Sequence, residues 1–415
     1  MMYDDSKVSW IFRVLLCCGM FFTCTVNGQA HVKIDLTNTN DFSDLTHFGD
    51  AIADKRIVYL DELTHGEHEV FALKSRLVKY LHQHHDFDAL ILESGLFDVN
   101  EIDKAARHSK DKRIADMAAG NIFFSYAKDP AFLGLMDYID AQRNTQNPLA
   151  LSGFDGRLSG EFSQASFVVS LGKQLQSLQV SDSLLLADWP KFSKQLQATL
   201  TRNFVDLDEV EINQHIQTGY QYMDALNRAD NSPGLDSPSY YARLLEGVIR
   251  LFEVHYTVRR FDEHDLVMAN NIHWLLQNTY KDKKVIIWGH YVHVNRQGYL
   301  SSRANNVTKA LDKAYGQESY IVNFAAMSGE YREFRDGTIK PIPPISKQYL
   351  AYALKDEFSE SPEAIFIQPK QFINPQEHEL LLSGHEYLSA TSIPINRWRN
   401  HFDSVFLINK VTASN

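Results

Sequence analysis

Four apolar runs in this 415-residue chain each end at a carboxylate or an imidazole, and that pattern constrains the fold more than any other feature. Ile57-Val58-Tyr59-Leu60 carries the β-branched and aromatic residues of a buried strand and stops at the acidic pair Asp61-Glu62. A Thr64-His65-Gly66 turn follows. Val70, Phe71, Leu73, Leu77, Val78 and Leu81 then recur at the spacing of an amphipathic helix, which runs to about His85. The next run, Phe87 to Leu92, ends in Glu93. Strand, helix and strand over this length form a βαβ unit whose crossover makes the strands parallel and sets Glu62 and Glu93 at one rim. Ala150 to Phe154 ends in Asp155 with Arg157 close behind, and Lys284 to Trp288 runs into Gly289-His290, with His293 following. The expected fold is α/β: a mixed, mostly parallel sheet flanked by helices, with its ligand crevice beyond the carboxyl ends of the strands.

From about 158 to 281 the strand pattern lapses and the sequence reads as several helices. One starts at Ser237-Pro238, serine capping and proline in the first helical position, with Leu244, Val248, Leu251, Phe252 and His255 on one face. The expectation is a helical subdomain inserted into a single domain spanning 31–415. Further strand-like runs lie at Tyr320–Ala325, Ala364–Gln368 and Ser404–Ile408, while residues 31–56 read as a polar lead-in with a helical fragment at Phe48–Ala51.

The apolar run Val14–Thr23, preceded by Lys7 and Arg13 and followed by Gly28 and Ala30, is too short to cross a bilayer and fits a secretory signal over residues 1–30. A secreted or periplasmic location follows, with no membrane insertion once the signal is cleaved. Cys17, Cys18 and Cys24 all fall in that segment, so the mature chain would hold no disulfide, thiol nucleophile or cysteine-based metal site. The segment's acids and bases balance, which leaves the net charge at −11 and argues against nucleic acid or an anionic membrane as partner.

His65, between Glu62 and the start of a helix, has the setting of a general base, since a carboxylate-held neutral imidazole can take a proton from water near neutral pH. The same spacing suits a capping histidine. His290 and His293 suit stabilisation of an oxyanion, and equally a strand-end pair satisfied by the backbone. Of Lys74 and Arg76, on the helix after His65, one is a candidate to turn inward and neutralise carboxylates or meet an anionic intermediate or substrate, while a basic outer face suits at least one of the pair; Asp155 is a candidate for substrate contact. Glu62, His65, His68, Glu93, His290 and His293 include ligand types for a metal, but no tight zinc spacing occurs, and neither a metal nor a cofactor is expected. The cluster His82-Gln83-His84-His85 reads as a solvated helix end. No Gly-x-Ser-x-Gly elbow is present, which argues against a serine nucleophile.

Leu60-Asp-Glu-Leu-Thr-His-Gly-Glu-His-Glu69, Leu73-Lys-Ser-Arg-Leu-Val78, Leu92-Glu93, Gly153-Phe-Asp155, Met268-Ala-Asn-Asn271 with Trp274, and Val285-Ile-Ile-Trp-Gly-His-Tyr-Val-His293 resemble, in order, the motifs of the erythromycin esterase family. The closing Phe402–Asn409 is similar to that family's last strand. The resemblance implies a metal-independent esterase that opens a macrolide lactone, or cleaves another small-molecule ester, by attack of water. It implies His65 as general base, Glu62 and Glu93 orienting it and the water, and His290 and His293 lining the site. Asp61 stands where the family has glycine, Lys74 where it has arginine, and His264 where it has another basic residue. Two other classes stay open: a non-catalytic ligand-binding protein, haem-type, of the related fold, and a metal-dependent hydrolase.

Overall fold

The computed structural model describes residues 31–415 apart from 39, 110, 123–124, 179–182, 230–233, 258–262, 298–305, 348, 359–362, 369–396 and 398–399. The expected signal, with its three cysteines, lies outside the described residues. The strands are β1 (His31–Asp35), β2 (Ile57–Leu60), β3 (Phe87–Gly95), β4 (Ala150–Asp155), β5 (Lys284–Trp288), β6 (Ser319–Ala326), β7 (Glu330–Arg332), β8 (Ile339–Pro341), β9 (Glu363–Ile367) and β10 (Ser404–Ile408). Eight of them form one sheet in the order β1-β9-β10-β6-β2-β5-β3-β4, while β7 and β8 make a separate hairpin. From β10 to β4 every pairing is parallel. Only β9 runs against its neighbours β10 and β1. This is the mixed, mostly parallel α/β sheet expected from the apolar runs.

The alternation of side chains along the central strands divides the core in two. Ile57, Tyr59, Ala89, Ile91, Val285 and Ile287 face one layer. Val58, Leu60, Leu90, Leu92, Ile286 and Trp288 face the other, and both sets are buried, which explains why these runs are apolar throughout rather than alternating. The second layer is covered by α1 (Thr46–Ile52), α2 (His68–His85), α3 (Leu96–His108), α4 (Ile114–Ala118) and α5 (Pro130–Gln142). The first is covered by α6 (Val168–Ser177), α7 (Ser183–Leu200), α8 (Glu209–Ala229), α9 (Pro238–Tyr256) and α10 (Glu263–Gln277), the only secondary structure of regular length between β4 and β5 among the described residues. α9 begins where its sequence signals it: the Ser237 side chain accepts from Tyr240 N, with Pro238 in the first turn. Three shorter helices, α11 (Tyr291–Val294), α12 (Val307–Tyr315) and α13 (Leu350–Ala353), follow β5 and β6.

Two expectations change. Residues 31–56 are more than a lead-in, because β1 closes the sheet edge against β9. His82 is not solvated: it is buried, its ring nitrogens 2.5 Å from Tyr138 Oη and 3.0 Å from the Asn147 carbonyl. It sits one turn before the helix end, on the face that packs against α5.

The helical layer carries a poorly solvated titratable group. His215 on α8 is buried between the rings of Phe192 and Phe252, at centroid distances of 4.6 and 4.2 Å, and neither ring nitrogen has a hydrogen-bond partner among the described residues. Burial pushes its pKa down from 6.5 to about 4. The unfolded chain therefore takes up a proton that the native chain refuses, so this group erodes stability as pH falls from about 6.5 towards 4. His215→Phe is expected to raise stability by about 1–3 kcal/mol, with the gain over the native chain widening in that window. Thermal unfolding of both proteins across it checks the sign; a constant difference at every pH would refute the assignment.

Candidate active site

The strand order builds the site. From β2 the chain crosses through α2 to β3 and continues to β4, and only later returns to insert β5 between β2 and β3. The carboxyl end of β5 thereby arrives between Glu62 and Glu93, at a point where the strand order reverses. The main chain after β5 is gripped from both sides: Gly289 N donates to Leu60 O at 3.2 Å, Tyr291 N to Glu62 O at 2.9 Å, and His290 N to Glu93 Oε2. Rather than continuing as strand, the chain turns into the short helix α11, which lifts His290 and His293 over the strand ends. At the end of β3 the register with β4 slips between Leu92 and Gly95, and this irregularity carries Glu93.

On the α2 side, Glu62 is the hub. Its Oε1 lies 2.7 Å from His65 Nδ1, and its Oε2 accepts from Lys74 Nζ at 2.7 Å and from Trp288 Nε1 at 2.9 Å. Burial works to raise the Glu62 pKa, yet the Lys74 ammonium and the bond to His65 outweigh it and hold the carboxyl below its ordinary range. Lys74 is itself pulled below its ordinary value by burial, against the opposing attraction of Glu62, and its Nζ lies 4.1 Å from the Trp288 ring centroid. With Nδ1–H of His65 donated to an ionised carboxylate, Nε2 is the basic nitrogen.

On the α10 side, His293 Nδ1 lies 2.8 Å from Asp265 Oδ1, and its Nε2 is 3.4 Å from Glu93 Oε1. Burial lowers its pKa, but Asp265 and Glu93 overcome that and raise it above the ordinary histidine value. His290 sits between the two sides. Its ring lies 4.3 Å from that of His65 and 6.3 Å from that of His293, centroid to centroid, and its Nε2 is 3.2 Å from the Leu63 carbonyl. Burial, with His65 and His293 as neighbours, pushes its pKa well down and keeps it neutral.

The structure brings Glu62, His65, Glu93, His290 and His293 together, turns Lys74 inward onto Glu62, and gives Arg76 and Asp155 other partners. Arg76 faces away from the crevice, with NH1 3.0 Å from Asp44 Oδ2 and NH2 2.5 Å from both Asp44 Oδ1 and the Asp41 carbonyl. Two residues along a helix is about 200° of rotation, so Lys74 and Arg76 point apart. Lys74 faces the site, fully buried beneath Glu62, whose carboxylate it neutralises, and is therefore not presented to a substrate. Asp155 is occupied by the fork of Arg157, 2.7 Å from NH2, and by His264 Nε2 at 2.9 Å; these two partners hold it far below the carboxylate range despite its burial. Asp61, the extra acid of the acidic pair, points away towards β6, where it accepts from Asn323 Nδ2 at 2.7 Å and Phe324 N at 3.1 Å; burial pushes it up to about 8.

The sequence reading assigned no role to Asp265, Trp288 or Phe334. The adjacent His264-Asp265 pair at the start of a helix was the available signal for the first of these. Phe334, at the tip of the β7–β8 hairpin, stands edge-on to His65 at 5.0 Å and is among the exposed large apolar side chains. The hairpin is docked on the histidine turn: Arg332 N donates to Gly66 O, and a β-carbon at Gly66 would lie 2.0 Å from the Arg332 carbonyl, so only glycine fits. A cleft of about 560 Å³ is bounded by Arg332, Lys128, Asn121 and Gly160; Glu62, His65, Glu93, His290 and His293 do not line it. Among the described residues no three His, Cys, Asp or Glu side chains are grouped to hold a metal ion. No helix among them is long and apolar enough to cross a membrane.

The sequence model of the family described as erythromycin esterase matches residues 82–383. The chain belongs to the erythromycin esterase family. A relative from Bacillus subtilis (strain 168), "Putative hydrolase YbfO", is 24% identical over 345 residues, covering 75% of this chain and 74% of its own. With the family, it makes this erythromycin esterase family member a hydrolase. Among solved structures, the erythromycin esterase EreC in its open conformation superposes with a TM-score of 0.65 at 14% identity, covering 93% of this chain and 98% of its own. A Bacillus cereus protein gives a TM-score of 0.68 at 18% identity, covering 92% and 96%. A succinoglycan biosynthesis protein gives 0.69 at 14%, covering 91% and 93%. At such identities these three share the fold.

Proposed function

We propose that this family member is a carboxylic ester hydrolase that adds water to the ester bond of a small molecule, a macrolide lactone foremost, with His65 as general base and without a metal. The observation that carries this reading is the buried Glu62–His65 bond of 2.7 Å, with Lys74 keeping the carboxylate ionised behind it. His65 Nε2 takes a proton from a water molecule as the oxygen attacks the ester carbonyl carbon. The carbonyl π electrons move to its oxygen, and the oxyanion is met by a donor; His293, whose pKa Asp265 and Glu93 raise against burial, suits that role. When the tetrahedral intermediate collapses, the C–O bond to the alcohol breaks, and the alkoxide takes back the proton carried by His65. A lactone would open to one hydroxy acid without loss of mass. Opening a macrolide this way would confer resistance on the cell that secretes the enzyme or holds it in its periplasm.

Glu93 binds the backbone of His290 through one oxygen and faces His293 with the other, so it locks α11 over the strand ends. Glu93→Gln is expected to lower kcat by on the order of a hundredfold. A near-normal rate would reduce Glu93 to a structural role.

The test of the whole reading is mass spectrometry of macrolides and simpler lactones and esters incubated with the mature protein after exhaustive chelation. A gain of one water, 18 mass units, on a macrolide supports the reading in full, and hydrolysis of other esters only would move the substrate. No hydrolysis until a metal is restored would overturn the metal-free mechanism. Silence throughout, with Soret absorbance on addition of haem, would overturn the enzyme.

A further inference from the structure

We propose that Asp265, brought in by the first turn of α10, is a positioning residue for His293: it holds the imidazole by Nδ1 so that Nε2–H is the edge turned to Glu93 and the reacting carbonyl. The proposal rests on the hydrolytic reading above and names a contribution to the site from the helical layer. The geometry is that of a buried carboxylate orienting a histidine. Asp265 is fully buried, its Oδ1 is 2.8 Å from His293 Nδ1, and its Oδ2 has no hydrogen-bond partner among the described residues, so the contact to His293 is what it is placed for. A buried carboxylate is costly unless it has a task of this kind.

The groups facing His293 come from four elements. Glu93 on β3 and Asp265 on α10 are the anions; Arg157, following β4, is the opposing cation; His290, at the start of α11, is neutral. Arg157 is itself tied to Asp155, which also takes His264, so its charge is largely spent there. The two anions thus decide the protonation of His293, and of these only Asp265 bonds it within 3 Å. His264 and Asp265, consecutive on α10, reach different elements at the crevice, one Asp155 at the end of β4 and the other His293 on α11. The helical layer is thereby stitched to the strand ends at two points.

During turnover His293 keeps its proton on Nε2 while the oxyanion forms and Asp265 takes up none; its work is to fix the ring and favour the imidazolium. Two measurements separate this inference from the reading beneath it. In the native protein, the His293 ring followed by NMR, assigned by its loss in His293→Asn, is expected to titrate above the ordinary histidine range. In Asp265→Asn that titration moves to lower pH by about 1–3 pH units, while Asp265→Glu restores it in part. The basic limb of the kcat profile moves with it, and kcat at neutral pH falls about tenfold or more with little change in KM. A native titration at or below pH 6.5 overturns the proposal even if no variant folds. So does a variant whose titration does not move. If the titration moves while the rate profile does not, Asp265 positions His293 but His293 is not in the reaction, and the oxyanion role given to His293 in the hydrolytic reading fails instead.

Discussion

His65→Ala is expected to lower kcat for ester hydrolysis by about 10²–10⁴-fold while leaving thermal unfolding close to that of the native chain. Glu62 can only orient the base, and Lys74 can only keep Glu62 charged; neither can take the proton from water if the imidazole is gone. The matched control is His68→Ala. His68 stands three residues further along, half-exposed, paired with Asp129 at 2.9 Å, and its ring is drawn up in pKa by that bond despite some burial. It has the same side chain and a carboxylate partner, but not the partner that Lys74 and Trp288 fix in place. Loss of turnover in the first variant and near-native turnover in the second would assign the chemistry to the Glu62–His65 pair. Equal turnover in both would remove His65 from the mechanism and with it the reason for burying Lys74. Because family membership and hydrolase class do not depend on this residue, such a result would relocate the base within the same crevice, to the neutral His290 first.

The crevice joins two histidine–carboxylate halves that belong to opposite layers of the sandwich. Glu62, Lys74 and Trp288 lie on the α2 side, Asp265 and His293 on the α10 side, and the neutral His290 fills the space between them. That division decides what could be read from the sequence. A strand that ends in a carboxylate declares itself locally, so Glu62 and Glu93 were legible, and parallel crossovers put them at one rim. Strand order is not local. Nothing in residues 284–290 says that β5 lies between β2 and β3, which is what seats His290 against His65. The partners of a buried charge are also long-range: Asp265 and His293 are 28 residues apart, and Trp288 meets Glu62 across 226. Helical phase was legible in principle. Lys74 and Arg76, two residues apart, cannot share a face, and Arg76 went to the loop acids at 41–44 because that was the side it faced. Residues 31–35 were missed as a strand because an edge strand of five residues with a lysine in its middle lacks the continuous apolar signal of the central ones.

The same buried pair that serves the chemistry governs stability, and Lys74→Met tests it. Lys74 is fully buried, and Glu62 beside it is buried as well. Methionine fills most of the lysine stem's volume, so the cavity left is small and packing loss contributes little. What changes is charge: Glu62 is left ionised and buried with only His65 and Trp288 as donors, or must take up a proton. Removing one partner of a buried pair costs about 3–5 kcal/mol, and the ammonium–indole contact with Trp288 adds up to about 2 kcal/mol. The expected result is a large fall in the denaturant midpoint for Lys74→Met, largest at neutral pH and shrinking as pH falls through the carboxylate range. The sign follows from Glu62, whose folded pKa is held below its ordinary value chiefly by Lys74 against burial; that stabilisation is present above the unfolded value and lost on acidification. The double variant Lys74→Met with Glu62→Gln should recover a good part of the loss, because it removes the stranded charge and keeps an amide to meet His65. If the double variant is no more stable than Lys74→Met alone, the cost is one of shape rather than charge, and the ionised state of Glu62 on which the His65 mechanism depends loses its support.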